Sequence, residues 1–535
     1  MDDSTTAAEE TRNRKRARLT SSAGDVVDRI SSLNDDVLLH VLELVGDVRD
    51  VVRTTSALSR RWRNLWKRVP ALSFASRSVW EATVVEDYAA LTRYVSSVND
   101  VLVLRSQSAG CAIERLAISI VYHRHLELLM PASVDAIQGW IWYAFQHGVK
   151  SFSVNMRLPY FWSGSGHGDC RWRWGEIENG NDEHYKAAVF LDVFDAASPV
   201  GLEAMHLTLS GARLRLPTAV EFTSLTDLSL EWIKIDASSV HLLARLVSSA
   251  SCPRLQKLRM RKLCIDALNE EMLLEADMLS ELWIPDVKFL SLKLRTPNLK
   301  VFHLYQPWHQ PLTISAPRLE ELEVSFPRGS PPRWLDVDGD LPCVRSLKIC
   351  MRSHRPRHIT YDGEAENEII DTNVQLLKHC SSLTCLDVTL TGPEPSKLRN
   401  VDIIKSRVPH LPHITSLTVN ISLWLGRHDY GASVANLLTR FNNLRRLSLH
   451  LPFFKSLDDE TSAGLDLLCN HQYHWKHNKF SMAHLLEVEL TGLTGTDCEF
   501  WFMKAVLARA KRLHKVVISF SSNCWQHEGK MDAFE

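Results

Sequence analysis

The sequence predicts an α/β chain in which a three-helix module near the amino end precedes a curved solenoid with a parallel sheet on its concave face. Three observations predict it. An apolar pattern at i, i+3 and i+5 returns along most of the chain. Amphipathic stretches of helical period separate many of its copies, and three short helical periods, broken by turn signals, lie between Asp28 and Phe74.

Residues 1–24 are polar and low in hydrophobicity, and disorder is expected of them. Within them Arg12, Arg14, Lys15, Arg16 and Arg18 form a compact basic cluster. Such a cluster is either a nuclear import signal or a solvated tail that aids solubility. The opening MDDSTTAAEE is acidic and polar, unlike a secretory leader.

In the module, read as residues 25–75, Asn34 is placed to cap a first helix, with Asp35 and Asp36 in its first turn and Leu33 stapling onto Leu38. Val37, Leu38, Val41, Leu42 and Val45 then recur at helical spacing. After Gly46, Asp50 is expected to cap a second helix carrying Val51, Val52 and Thr55. Ser59 is expected to cap a third carrying Trp62, Leu65 and Trp66, which Pro70 stops. So small a unit buries little surface, while covering one Leu or Trp side chain is worth about 1.5–3 kcal/mol, so a partner protein gains by completing it. The plainer reading is a helical cap on the remainder of the chain.

Residues 76–465 carry the repeats. The clearest copies are Leu225-Leu228-Leu230, Leu255-Leu258-Met260, Leu279-Leu282-Ile284, Leu299-Phe302-Leu304, Leu319-Leu322-Val324, Val344-Leu347-Ile349, Leu383-Leu386-Val388, Ile414-Leu417-Val419 and Leu444-Leu447-Leu449. Weaker ones begin at Ile113, Val149 and Leu202, and two more at Leu485 and Leu513. Spacings of 30, 24, 20, 20, 25, 39, 31 and 30 residues from Leu225 to Leu444 bracket the leucine-rich repeat period. The last two residues of each copy alternate as a strand does, and the first anchors the turn before it. SSVHLLARLVSSASCP, TNVQLLKHCSSL and SVANLLTRFNNL read as helices between strands, whereas Pro297, Pro317 and Pro327 demand extended segments in the tighter middle copies.

Residues between the core positions face outward on the concave side. Arg259, Arg261, Trp283, His303 and Tyr305 make the most interface-like group there, because exposed aromatics and arginines dominate binding hot spots. Aromatics on a sheet also pack across strands as ladder neighbours, which is the alternative. Two insertions interrupt the repeats, 159–182 and 352–368. The first, with Trp162, Trp172 and Trp174, either binds a ligand or covers an end of the sheet.

Residues 466–535 close the chain. Cys469, His471, His474 and His477 fit no zinc spacing and read as a polar linker, so no metal is expected. MAHLLEVELTGLTGTDCEFWFMKAVLARAKRLHKVVISF reads as a strand, a turn at Gly492 to Gly495, a helix with Phe500, Met503, Val506 and Leu507 along one side, and a strand. It is expected to cap the open edge of the sheet.

Composition narrows the function. Sixty-two basic residues balance 63 acidic ones, giving a net charge of -1 and no global pull toward nucleic acid or an anionic membrane. Eleven cysteines without CxxC pairs suit a reducing compartment, nucleus or cytoplasm, and no apolar run is long enough to span a membrane. No nucleophile elbow, metalloprotease helix or paired carboxylates stand out, so neither catalysis nor a cofactor is expected.

The stretch DRISSLNDDVLLHVLELV followed by DVVRTTSALSRRWRNLWKRVPALSF closely resembles the F-box of plant F-box proteins, with Asn34 where that family usually has proline. Both residues suit a helix start. The closing segment resembles the FBD module that ends many plant F-box proteins with leucine-rich repeats. The resemblance implies a substrate receptor of an SCF-type ubiquitin ligase. Its F-box would bind a Skp-type adaptor and through it a cullin scaffold, and the repeats would hold an unknown protein substrate. The family's apolar positions fall here on Leu33, Leu38, Leu39, Leu42, Val52, Leu58, Trp62, Leu65 and Trp66. Some must form the module's own core, and sequence does not sort which. A non-catalytic repeat scaffold that uses the adaptor without assembling a ligase is the other reading.

Overall fold

The computed structural model describes residues 33–57, 60–76, 83–107, 112–121, 126–157, 188–191, 201–218, 221–265, 271–287, 289–305, 311–325, 335–352, 354–356, 372–391, 400–402, 408–422, 431–452, 480–495 and 497–521. The basic cluster, Leu58, the Ser59 cap, the insertion 159–182, most of 352–368 and the Cys469 to His477 group lie outside them.

Helices α1 (Asp35–Leu44), α2 (Val48–Ala57) and α3 (Arg60–Leu65), with a 3-10 turn at Trp66–Arg68, make the module. Asn34 sits at the N-cap of α1 but its side chain makes no capping bond. Instead Asp35 in the first turn accepts hydrogen bonds from Arg61 at 2.6 Å and Arg68 at 2.8 Å, tying α1 to α3 and the turn after it. Asp47, not Asp50, caps α2: its carboxylate accepts the Arg49 backbone N–H at 2.8 Å, and Asp50 falls inside the first turn. The helix starts three residues early because the link after Gly46 puts an acceptor there first.

The solenoid's sheet has fifteen strands among the described residues, all parallel and in chain order. They are β1 (Ala71–Ala75), β2 (Arg115–Val121), β3 (Ser151–Arg157), β4 (Ala204–Leu209), β5 (Asp227–Glu231), β6 (Lys257–Arg261), β7 (Glu281–Pro285), β8 (Val301–Tyr305), β9 (Glu321–Ser325), β10 (Ser346–Arg352), β11 (Cys385–Thr391), β12 (Ser416–Ser422), β13 (Arg446–His450), β14 (Glu487–Leu493) and β15 (Lys515–Phe520). Every apolar triplet read from the sequence ends in one of them. The anchor residue closes a tight turn, as where the N–H groups of Leu225, Leu255, Leu299 and Leu319 bond the carbonyls three residues earlier, of Phe222, Cys252, Thr296 and Ala316. One carbonyl just before each strand then accepts two N–H groups from the next coil: Thr226 from Gln256 and Lys257, Gln256 from Ser280 and Glu281, Ser280 from Lys300 and Val301. These bonds repeat coil by coil, so the register of one strand sets the next.

Two four-stranded parallel sheets lie beside the main one, one of them running 271–275, 291–295, 312–315 and 335–337. These strands fill the tight middle coils where Pro297 and Pro317 exclude helices, as the sequence requires. Helices α4 (Val84–Ser106), α5 (Leu126–Gln146), α6 (Val240–Leu246), α7 (Thr372–His379), α8 (Gly431–Leu438) and α9 (Asp497–Arg509) serve the wider coils. A capping box in which Thr83 and Glu86 exchange hydrogen bonds starts α4.

At the carboxyl end, the buried Glu499 carboxylate accepts from the backbone N–H groups of Thr494 and Gly495, at 2.8 Å each, and holds the turn into α9. Phe502, Met503 and Val506 face inward, while Phe500 is exposed, so the buried side of α9 is rotated from the one the sequence suggested. On β15 Val516 and Ile518 are exposed, although their register partners Val488 and Leu490 are buried. No helix is long and apolar enough to cross a membrane, among the described residues.

Candidate functional site: a helical docking face and the open face of the sheet

The module is joined to the solenoid as one body. Its last segment supplies β1, which pairs in register with β2 from Ala71↔Arg115 to Ala75↔Ser119, and the Pro70 carbonyl accepts the N–H groups of Glu114 and Arg115 as later coils do. Buried Arg105 of α4 donates to the Val69 carbonyl at 3.0 Å. Arg49 of α2 pairs with Asp47, donates to the Ala75 carbonyl, and lies over the Tyr94 ring of α4 at 4.8 Å. The Tyr94 hydroxyl in turn donates to the Ser119 carbonyl of β2 at 3.0 Å. This chain fixes the helices relative to the first coils.

The apolar positions of the module divide cleanly. Leu38, Leu42, Trp62, Leu65 and Trp66 are buried in the chain's own core, and Leu39 and Val52 are half-buried against it. Leu33 is 37% exposed. On α1 and its C-cap, Val37, Val41, Leu44 and Val45 remain 47, 44, 74 and 46% exposed. A helix apolar on nearly all sides is one that expects cover on both. Sequence reasoning placed Val37, Val41 and Val45 in one stripe with Leu38 and Leu42 and passed over Leu44. The width of that stripe was the available signal, since Leu38 and Leu42 alone fill the inward side.

On the sheet, the outward residues form rows in register. Ser229, Arg259, Trp283, His303, Glu323, Lys348 and Asp387 stand side by side on β5 to β11. The Arg259 guanidinium lies 5.2 Å from the Trp283 ring centre, and Trp283 stacks on His303 at 4.4 Å and 15°. His303 is held between carboxylates, with Nε2 3.1 Å from Glu321 and Nδ1 3.0 Å from Glu323, and Lys348 reaches Glu323 at 2.8 Å. Asn420 donates to Asp387 at 2.6 Å.

These contacts set the charges. The His303 hydrogen bond and the Lys348 ammonium hold the Glu323 carboxyl down to about 2, against the opposing pull of burial. Glu323 and Glu321 raise His303, whereas burial pushes Asp387 up despite Lys348 beside it. The group expected from sequence is thus assembled: Trp283 and His303 are stacked, Arg259 joins them, and Tyr305 and Arg261 stand one step along their strands. The ladder packing expected as the alternative is present, since Trp283 stacks on His303 across strands, while Arg259 and Tyr305 stay exposed. Among the described residues, no group of three or more His, Cys, Asp or Glu side chains is arranged to hold a metal.

No family model matches the chain. Individual relatives do, among them three from Arabidopsis thaliana. An F-box/FBD/LRR-repeat protein is 24% identical over 340 residues, covering 61% of this chain and 66% of its own length. A putative F-box/LRR-repeat protein is 30% identical over 132 residues, 25% of this chain and 23% of its own. A second F-box/FBD/LRR-repeat protein is 42% identical over 74 residues, 14% of either chain. The matched stretches therefore span less than two thirds of each of these relatives.

Proposed function

We propose that this chain, one of the plant F-box proteins with leucine-rich repeats and an FBD-like end, is the substrate-recognition subunit of an SCF-type ubiquitin ligase. The module binds a Skp-type adaptor and through it a cullin scaffold, and the open face of the solenoid holds a target protein. The chain does no chemistry itself. It accelerates ubiquitin transfer by holding the target near the catalytic subunits, which converts an encounter between molecules into one within a complex. Residues 25–75 serve as the F-box, 76–465 as the repeat domain and 466–535 as the FBD-like cap.

The observation that carries the reading is the exposed stripe of Val37, Val41, Leu44 and Val45 on α1 and its C-cap, backed by a filled core. Four apolar side chains along one short helix and its cap gain from a partner's cover. Adaptor contact is therefore assigned to these residues with Leu33, and the support beneath them to Leu38, Leu42, Trp62, Leu65 and Trp66. Leu39 and Val52 lie at the margin. On the sheet, Arg259, Arg261, Trp283, His303 and Tyr305 are assigned to the target.

Co-purification of the full chain with a Skp-type adaptor and a cullin tests it. The wild type is expected to retain both, and a Val41→Asp, Leu44→Asp variant to lose both while melting at an unchanged temperature. A wild-type chain that retains no adaptor overturns the proposal, and one that retains adaptor but no cullin is a scaffold outside the ligase.

A further inference from the structure

We infer that Arg259 and Arg261 on β6 are the specificity determinants of the open face, and that they select an extended peptide segment of the target carrying two anionic side chains two residues apart. This rests on the receptor reading and names the class of target it takes.

The argument starts from which cations on the face are already occupied. In the outward rows from β4 to β13, the other basic side chains whose positions are described have a partner. His206 lies 4.0 Å from Asp227, Lys257 2.9 Å from Glu281, His303 between Glu321 and Glu323, Lys348 2.8 Å from Glu323, and Arg446 2.9 Å from Glu487, while His450 meets Thr491 at 2.8 Å. Arg259 and Arg261 have no carboxylate within ion-pair distance among the described residues. Among the described residues the contact of the exposed Arg259 guanidinium is the Trp283 ring, 5.2 Å from its centre, and a ring accepts none of the N–H groups a carboxylate would take. Arg261 stands in register with Glu231 on one side, and on the other the next residue, Lys262, donates its backbone N–H to the Pro285 carbonyl at 3.0 Å. No ion pair spans the first step, and Pro285 offers no acceptor side chain. Burial pushes the Asp286 carboxyl up, and it feels Lys262 and then Arg261 without forming an ion pair with Arg261.

Geometry then sets the ligand. Residues i and i+2 of a strand share a face about 7 Å apart, so two guanidinium groups without an ion-pair partner among the described residues repeat at the spacing of alternate side chains in an extended chain. A planar fork pairs bidentately with a carboxylate or a phosphate, and a cation already stacked on an indole loses little freedom on binding. Tyr305, 39% exposed and two residues past His303 on β8, gives an apolar rest for the residue beyond. On the other side of His303 the cations His303 and Lys348 are already paired with Glu321 and Glu323 and offer an anion no open partner, so the anionic pair falls to β6.

Arrayed peptides test the inference on the full chain held in its adaptor complex. One series carries Glu-x-Glu beside an aromatic residue, the second has Gln for Glu, the third Lys for Glu and the fourth phosphoserine for Glu. The Glu or phosphoserine series is expected to bind about tenfold tighter than the Gln series, with the advantage fading at high salt. Whichever of these two binds better identifies carboxylate or phosphate as the natural anion. Arg259→Gln with Arg261→Gln should abolish the advantage while adaptor retention and melting temperature stay as in the wild type. Equal binding of the Glu, phosphoserine and Gln series, or an advantage that survives the double substitution, overturns the inference. Loss of adaptor from the wild-type chain itself would instead overturn the receptor reading on which it rests.

Discussion

Gly492 is the position where a single methyl group should damage the fold most selectively. Its φ is +79°, and a Cβ built there would lie 2.2 Å from the Leu451 carbonyl oxygen and 2.9 Å from its carbonyl carbon. Gly46, at φ +85°, has nothing within 4 Å of the same construction. Alanine at either position takes the left-handed backbone penalty, about 1–2 kcal/mol. At Gly492 it must also push away the backbone of the neighbouring coil by more than about 1 Å to reach ordinary contact distance. That displacement strains the bond from the Leu451 N–H to the Thr491 carbonyl, 2.9 Å long, whose loss in a buried setting costs about 1–3 kcal/mol more. Gly492→Ala should therefore destabilise by about 2–5 kcal/mol and Gly46→Ala by about 1–2 kcal/mol. Hydrogen exchange reads the difference locally. Because repeat arrays are stabilised by nearest neighbours, protection should fall on β13, β14 and β15 and stay intact on β5 to β9. A Gly492→Ala chain no less stable than Gly46→Ala, or one that loosens evenly along its length, would refute the close approach of these coils.

Other substitutions probe the ladder and the join. Glu323 is held down from 4.5 to about 2, so its stabilising contribution is present above its unfolded value and lost as pH falls through about 2. His303 is raised from 6.5, so its contribution is full below that value and lost as pH rises through the raised one. The pair is thus strongest between about 4.5 and 6.5. Glu323→Gln should lower the His303 titration midpoint measured by NMR toward 6.5, and an unmoved midpoint would contradict the pairing. Arg105→Met leaves the buried Val69 carbonyl without its donor and should cost about 1–3 kcal/mol, with exchange quickening at β1 and α4 first; unchanged protection there would deny the join. Deleting residues 1–24 should shift the protein from nucleus to cytoplasm in imaging if Arg12 to Arg18 drive import, and an unchanged distribution would remove that role.

The strands of the main sheet were legible because a burial period of two, anchored three residues upstream, leaves the same apolar signature in each coil. β1 carries the same signature, Val69-Leu72-Phe74, with all three buried and the Val69 N–H bonded to the Trp66 carbonyl three residues earlier, but it was read only as the close of the helical module because a helix and Pro70 precede it so closely. The flanking sheets, with strands of two to five residues such as 234–235 and 264–265, are too short to show a period. Helices α4 and α5 left no comparable mark. The outward group at Arg259 to Tyr305 could be named from alternation alone, whereas its pairing could not: whether a lysine or an arginine has an acid beside it depends on the register of strands some twenty to forty residues apart. The same limit applied to α1, where the inward side is set by α3 packing beneath it, so Leu44 stood out only once Leu38 and Leu42 were seen to fill the core.

The dissociation constant of a Skp-type adaptor from the full chain, compared with that of Leu44→Ala, tests the central claim most directly. Leu44 is 74% exposed, so covering it is worth about 1–2 kcal/mol, or about a five- to thirtyfold change in affinity. The account predicts weakening of that size with no change in the melting temperature of the free chain. An adaptor affinity that is absent in the wild type, or equal in both proteins, would contradict it.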